Sequence, residues 1–548
     1  MLNFKPFALK PSALVFALSS VFISTATFST ATQAANVPSD VTLAPTQELI
    51  RGNDAEAATL NPLKAEGIPE MHILRDLFEG LVIQDQDGKV VPGVAKSWET
   101  TDNQNYTFHL REDAKWSNGD PVTAQDFVYS LHMAVDPKFA SPNSWYLKLT
   151  GIKNAEAIID GKQPVDSLGV KAIDEHTLQF QLDKAVPYFV AMTAHTVMMP
   201  INQKVVEKFG DSWTKPENMV SNGAYQLKDW VINERLDMER NPNYWDNKNT
   251  VINKVTYIPF ESQTSAMNRY LTGEVDITSD VPVVMADKLK KDHPDEFKIT
   301  PLLCTYYYAL NTKRKPFDDV RVRKALSYSV MRDVIAKGVT KGNVPAYTFA
   351  HQDVASFSAT QPEYATWTQQ QRDQEAQKLL EEAGYGRDNP VKSSLLYNTS
   401  ENHKAIAVAI ASMWKKNLGM EVTLDNQEWK SYLSSRQERN FDIMRASWCG
   451  DYNEASTFLT LMTSNNDKNF PSYENPKYDE VIAKAQAAVD VKERNQFYDQ
   501  AEQMLAQDMP IIPIYYFMQS RLVNAKLGGY PMHNAEGRIY SKDLYFVK

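Results

Sequence analysis

The first 34 residues decide the compartment in which the rest of the chain must fold. Lys5 and Lys10 make a basic start, Ala13 to Ile23 an apolar stretch, and Thr32-Gln33-Ala34 a small-residue cleavage site. Together they read as an export signal, cut near Ala34 so that the mature chain begins at Ala35. The apolar stretch is too short to span a bilayer, and Ser24 to Gln33 beyond it is rich in Ser and Thr, so a cleaved signal is expected in preference to a retained anchor. No comparable apolar stretch follows, and no cysteine near the cleavage site is placed to carry a lipid. The expectation is a soluble protein, diffusing freely in a periplasm.

An oxidising compartment changes the reading of the two cysteines, Cys304 and Cys449. One disulfide between them is expected, contributing on the order of 4–5 kcal/mol by chain-entropy reasoning; two buried thiols are the alternative.

With the signal removed, 514 of the 548 residues remain, more than one hydrophobic core usually supports, so two or three lobes are expected. Hydrophobic residues at 43% and aromatic residues at 11% mark an ordered, globular chain. Of the 58 Lys and Arg, 56 remain after Lys5 and Lys10 are lost, against 68 acidic side chains, with no basic block. Nucleic acid is therefore not an expected partner.

Short strand-like runs alternate with longer helical ones without internal repeats, which predicts an α/β class with mixed sheets. Tyr106, Phe108 and Leu110 alternate as a strand, Asn118-Gly119-Asp120-Pro121 makes a turn, and Thr123 caps a helix with Asp126 completing a variant capping box. From Ser393 to Trp448 the pattern reads strand, helix, strand, helix, strand. Leu395 to Tyr397 is the first strand. Ser400 caps a helix whose apolar face is Ile406, Ala409, Ile410 and Met413 and which Gly419 ends. Glu421 to Leu424 alternates, Trp429 to Arg439 is helical, and Phe441 to Ala446 is strand-like. Parallel crossover units bind ligands outside the carboxyl ends of their strands. That rule singles out the Tyr397 to His403 turn and Ser447 to Glu454, which should face one crevice.

Chemistry for catalysis is missing from the sequence. The nine histidines stand apart without metal-ligand spacing, and there is no nucleophile elbow, phosphate loop, dinucleotide fingerprint or Cys-x-x-Cys pair. No enzyme activity, metal or cofactor is expected. Asp451 stands out instead, a carboxylate flanked by Trp448 and Tyr452 at a strand end. Sheltered from water it would hold an ammonium group well; the plainer alternative is a helix cap or turn. His403 in the first turn of a helix and Arg445 near a strand end offer donors to a carboxylate, or serve structure alone. Tyr306-Tyr307-Tyr308, Tyr515-Tyr516-Phe517 and Trp429 would line a crevice or fill the core.

Several segments carry a family resemblance. Gly93-Val94-Ala95-Lys96-Ser97-Trp98-Glu99, Tyr106 to Arg111 and Ala114 to Val128 resemble the signature of the large extracellular solute-binding proteins that serve peptide and nickel importers. Leu303-Cys304-Thr305-Tyr306-Tyr307-Tyr308, Tyr397-Asn398-Thr399-Ser400, Asn426-Gln427-Glu428-Trp429-Lys430 and Trp448 to Glu454 are similar to the oligopeptide-binding members of that family in Gram-negative periplasms, and the likeness covers essentially the whole mature chain.

The resemblance implies two lobes hinged over an extended peptide, with an extra peripheral domain. Residues 35–78, 203–303 and 503–548 would form the first lobe, 79–202 the peripheral domain and 304–502 the second lobe. By position, Asp451 looks like the anchor for the peptide's ammonium, and Arg445, His403 and Arg436 like anchors for its carboxylate. Glu66, Trp429, Trp448 and Tyr516 match pocket-lining positions, and the lysine that meets the carboxylate of longer peptides in relatives falls near Thr340 or Lys341, with Lys341 the residue to take its role. Ala309 stands where relatives carry an acidic residue. The implied ligands are peptides of about two to five residues and the implied partners inner-membrane permease subunits of an ATP-driven importer, the protein acting as a monomer. Murein tripeptide, dipeptide or haem binding, and a periplasmic chaperone role, are the alternatives; nickel is disfavoured by the absence of clustered ligands.

Overall fold

The computed structural model describes residue 35 and residues 37–548, so the expected export signal lies outside the described residues. Three sheets of four or more strands carry the fold. In the first, Glu48–Asn53 runs parallel to Lys254–Pro259, which is followed by Arg235–Arg240 and Tyr225–Val231 in antiparallel order. The second is wholly antiparallel, in the order Ala95–Glu99, Asn105–Leu110, Thr177–Gln181, Val170–Asp174. Its alternation is that of a half-buried strand, with Tyr106, Phe108 and Leu110 turned inward. The Thr123 N–H donates to the Asp126 carboxylate at 2.8 Å, the capping box expected for the Ala124–Val135 helix, and Phe127, Val128 and Leu131 are buried.

The third sheet has six strands, in the order Val344–Pro345, Ile511–Leu522, Phe297–Leu310, Ile443–Cys449, Lys392–Asn398, Glu421–Gln427. Lys392–Asn398 is parallel to both Glu421–Gln427 and Ile443–Cys449, the other pairings antiparallel. Parallel neighbours need crossovers, and the helices Glu401–Leu418 and Trp429–Gln437 supply them. Ser400 accepts the His403 N–H to start the first helix, and Gly419, at φ 73°, ends it in the left-handed region that glycine adopts without strain. Its buried face runs through Ile406, Ala407, Ile410 and Trp414, whereas Ala409 and Met413 of the expected face are half-buried. The Trp414 indole turns the helix, filling the core and donating to the Leu326 carbonyl at 2.9 Å.

Both faces of this sheet are covered, which explains the continuous apolar run at its centre. Tyr306, Tyr308 and Leu310 pack with Ile406, Ile410 and Trp414, while Tyr307 and Ala309 face the opposite core. Cys304 and Cys449 sit directly opposite one another on antiparallel strands and form the disulfide, 145 residues apart in sequence.

Residue 503, the start expected for the last segment of the first lobe, lies within a continuous element. It falls inside the Val491–Asp508 helix, and Ile511–Tyr516 then pairs with Thr305–Ala309 in the six-stranded sheet. Met509, Ile512, Ile514 and Tyr515 fill the same core as Tyr306, Leu395 and Ile443. Only the later half of the strand, Met518–Leu522, pairs with Phe297–Pro301, and the register shifts between the two halves. Two long strands thus run side by side across a break in their own pairing.

Candidate functional site

The three parallel strands of the large sheet point their carboxyl ends to one edge, so the segments that follow them must converge there. Asn398 to Ser400 with His403, Trp429, and Ser447 to Asp451 line a single crevice. The facing wall includes Glu66, Gly67 and Arg75 at the Ile68–Leu77 helix, and Trp145, in the Ser144–Thr150 helix, and His195, capping Thr196–Met198, reach in. The cavity is about 280 Å3, room for on the order of ten waters.

Asp451 occupies one end. Its side chain is 12% exposed, and its nearest basic neighbour is His195, whose Nε2 stands 3.4 Å from Asp451 Oδ1. His195 Nδ1 accepts the Val197 N–H at 3.1 Å, which leaves the ring proton on Nε2, facing Asp451. The other contact is weak, Thr457 Oγ1 at 3.5 Å from Oδ2, and the backbone carbonyl of Asp451 is held by Arg538. A carboxylate kept from water with few strong donors retains acceptor capacity for a cation entering the crevice.

Arg445, six residues earlier, has the opposite character. Its Nη atoms donate to Asn398 Oδ1 and Ser447 Oγ, both at 3.1 Å, its guanidinium lies 4.9 Å from the centre of the Tyr306 ring, and its buried Nε finds no acceptor among the described residues. Burial and the Arg445 charge hold the His403 imidazolium well below its ordinary pKa, and His403 Nδ1 is likewise buried without a partner among the described residues. At this end Arg445 supplies the positive charge and neutral His403 a hydrogen bond.

A third group crosses the crevice. Glu66 accepts from Lys468 and stands 3.6 Å from Arg436, whose guanidinium lies 4.9 Å from the Phe470 ring centre. Burial lowers the Lys468 ammonium, partly offset by Glu66. Gly67 lies so close to the Trp429 ring that a Cβ there would approach it to 2.6 Å. Trp429 stacks on Tyr432, and Trp448 packs edge-on against Trp145 at 5.4 Å. The indole N–H of Trp448 is buried without an acceptor among the described residues and is a donor in reserve, whereas the Trp429 indole faces the buried Glu70 carboxyl.

Two expected positions lie elsewhere. Tyr516 is turned away from the crevice, its hydroxyl paired with Thr348, while Tyr515 and Phe517 line it; alternation along the strand decides which neighbours point in. Lys341 is not a lining residue. Its ammonium reaches Asp287 at 2.5 Å, at the rim. Conversely, His195, Lys468, Arg75 and Asp280 line the crevice and were not singled out by sequence, because they sit in loops or on a helix where no periodicity marks them.

Asp280 makes the crevice sensitive to pH. Burial and the nearby Asp54 push its carboxyl up to about 7, while it accepts from Asn402 Nδ2 at 3.0 Å across the crevice. A carboxyl that regains its ordinary pKa near 3.8 when the crevice opens takes up a proton on closing, so this contribution favours closure as pH falls from 8 to 6 and is lost as pH rises through 7. The affinity ratio between pH 6 and pH 8 should be about tenfold larger in the parent than in Asp280→Asn; the opposite dependence from His403 is common to both and cancels. Equal ratios by calorimetry would contradict this.

Comparisons place this architecture. Residues 89–470 match the family described as bacterial extracellular solute-binding proteins, family 5. The chain is 48% identical over 517 residues to the periplasmic oligopeptide-binding protein OppA of Escherichia coli, covering 94% of this chain and 95% of that one. The structure of the E. coli murein tripeptide binding protein MppA, 50% identical, superposes with a TM-score of 0.91 over 92% of this chain and 99% of its own. Haemophilus influenzae OppA in complex with the peptide RPPGFSPFR, 45% identical, gives 0.90 over 92% of this chain and 100% of its own. An unliganded open form of MppA, also 50% identical and covering 93% of this chain and 99% of its own, gives only 0.68. The relative placement of the parts is therefore that of the peptide complex and not of the open form. Fold, sequence and site agree that the chain is a two-lobed periplasmic binding protein belonging to family 5 of the bacterial extracellular solute-binding proteins.

Proposed function

We propose that the protein captures short peptides in this crevice and presents them, enclosed, to the permease subunits of an ATP-driven importer in the inner membrane. The observation that carries the reading is the placement of charge: Asp451, short of donors, at one end, and Arg445 with neutral His403 at the other. A free peptide has an ammonium and a carboxylate at its ends and main-chain groups between, and the unpartnered Trp448 indole N–H matches the latter. Six residues separate Asp451 from Arg445, at most about 20 Å of extended chain, which suits ligands of about two to five residues anchored at both ends. Arg436 would take the carboxylate of a different length. The role is binding without catalysis, by a monomer in the periplasm, its export signal removed near Ala34.

In this reading the first lobe comprises residues 35–78, 203–303 and 517–548, the peripheral domain 79–202, and the second lobe 304–516. The two long strands are the hinge, bending where their register shifts. A ligand touching both lobes gains its full contacts only in the closed form, so it shifts the population toward closure.

Titration of refolded, ligand-free protein with tri-alanine or tri-lysine, by calorimetry, tests the proposal. Tight binding is expected, with a large loss when the peptide is N-acetylated. Equal affinity for both forms would remove the ammonium anchor, and no binding of either would end the reading for such peptides. Murein tripeptide is the second reading, favoured by MppA being as similar as OppA; it competes in the same titration.

A further inference from the structure

We propose that two helix N-termini, one from each lobe, cap each other across the crevice mouth and form a latch that stabilises the closed protein without ligand. The helices are Gln263–Leu271 and Glu401–Leu418. First-turn N–H groups of a helix have no partner inside it. Here part of that requirement is met by the opposite helix. The Glu401 carboxylate accepts from the Thr264 N–H at 3.1 Å, from Thr264 Oγ1 at 2.8 Å and from Ser262 Oγ at 3.2 Å. In return Gln263 Oε1 accepts the Glu401 N–H at 3.1 Å, and Gln263 Nε2 donates to Ser400 Oγ, the cap of the Glu401 helix, at 3.1 Å. Asn402 continues the exchange, donating to Asp280 and accepting the Val283 N–H at 3.2 Å. The Lys341–Asp287 ion pair at the rim joins the same two parts of the chain.

Glu401 and Thr264 do not line the crevice, so a ligand has no need to displace them. The Glu66 contacts inside the crevice differ, because a ligand entering there meets the same cations. Opening the lobes separates all of the latch bonds at once and returns their groups to water. The charge-assisted bonds of Glu401 to the Thr264 N–H and to two hydroxyls are the strongest among them. Since His403 lies in the first turn of the latched helix, closure also places a ligand-facing imidazole. The latch contributes equally to every ligand, and the fraction of empty protein already closed scales all affinities by one factor.

The inference rests on the lobe assignment of the proposed function but not on the identity of the ligand. Both native cysteines are in the disulfide, so fluorophores attached at Ile232→Cys and Val489→Cys, exposed sites at 58% and 59% on the two lobes, report the distance between lobes. Glu401→Ala and Thr264→Val, both at exposed positions, are introduced separately into that background. The high-transfer population of the empty protein should shrink in each variant. In Glu401→Ala the affinities for tri-alanine and tri-lysine should fall by one common factor, about tenfold. An unchanged high-transfer population in the empty variants overturns the latch, as does weakening that differs between the two peptides. If the parent binds no peptide, the proposed function fails, while the comparison of empty proteins still decides the latch.

Discussion

Asp451→Asn should lower the affinity for a free-amino tripeptide by on the order of 10²- to 10³-fold while leaving the fold unchanged. The substitution keeps the shape of the side chain and removes its charge. With its side chain 12% exposed and its strongest neighbour a histidine at 3.4 Å, the carboxylate has little water to compete with a ligand ammonium. Truncating one member of a buried, hydrogen-bonded charge pair costs about 2–5 kcal/mol, much of it from stranding the other charge in the crevice. The same loss should follow from acetylating the peptide, and the two changes together should cost little more than either alone, since both remove the same ion pair. Calorimetric titration of the four combinations gives the coupling. Additive losses would mean that the ammonium sits elsewhere, with His195 and Asp451 serving only to join the peripheral segment to the binding strand.

The double variant Cys304→Ala and Cys449→Ala should lose up to about 5 kcal/mol of stability, because the disulfide closes a loop of 145 residues in the unfolded chain. Alanine suits the test better than serine, since Cys304 is fully buried and a hydroxyl there would add a desolvation cost of its own. A urea midpoint that falls while the slope stays constant would show the loss to be one of stability, and a reducing agent should reproduce it in the parent protein. The cysteines face each other on strands that pair through Leu310 and Ile443, so the sheet should re-form without the bond. A loss below about 1 kcal/mol would show that the unfolded chain already keeps the two strands close. Affinity for peptide should change little at temperatures where the variant stays folded, as the strand carrying Arg445 and Trp448 pairs along its whole length with Cys304–Leu310.

Much of this was legible in the residue pattern. The strand and helix alternation from Ser393 to Trp448 predicted two crossover units, and the geometry of parallel strands then placed Asn398 to His403 and Ser447 to Asp451 at one edge. The Thr123 and Ser400 caps and the Gly419 terminus were readable because they are local: each is decided by a few neighbouring residues. What the pattern could not settle was of another kind. Tyr516 and Tyr515 are equally aromatic, and only the pairing of their strand decides which faces the ligand. Lys341 is drawn to the rim by Asp287, far away in sequence. Ile511–Tyr516 belongs to the six-stranded sheet because it finds its strand partners there, not because of anything in its own composition.

The sequence by itself determined the class of the fold, the pairing of the two cysteines, and, through local periodicity, capping and family likeness, that Asp451, Arg445, His403 and Arg436 line one crevice. Tertiary structure alone decided the state of those groups. Burial beside Arg445 keeps His403 neutral, and Asp54 and lost water raise Asp280. Helix ends 137 or more residues apart in sequence complete each other's hydrogen bonds. Charge and hydrogen bonding depend on what stands opposite in space, and a one-dimensional pattern holds no record of that.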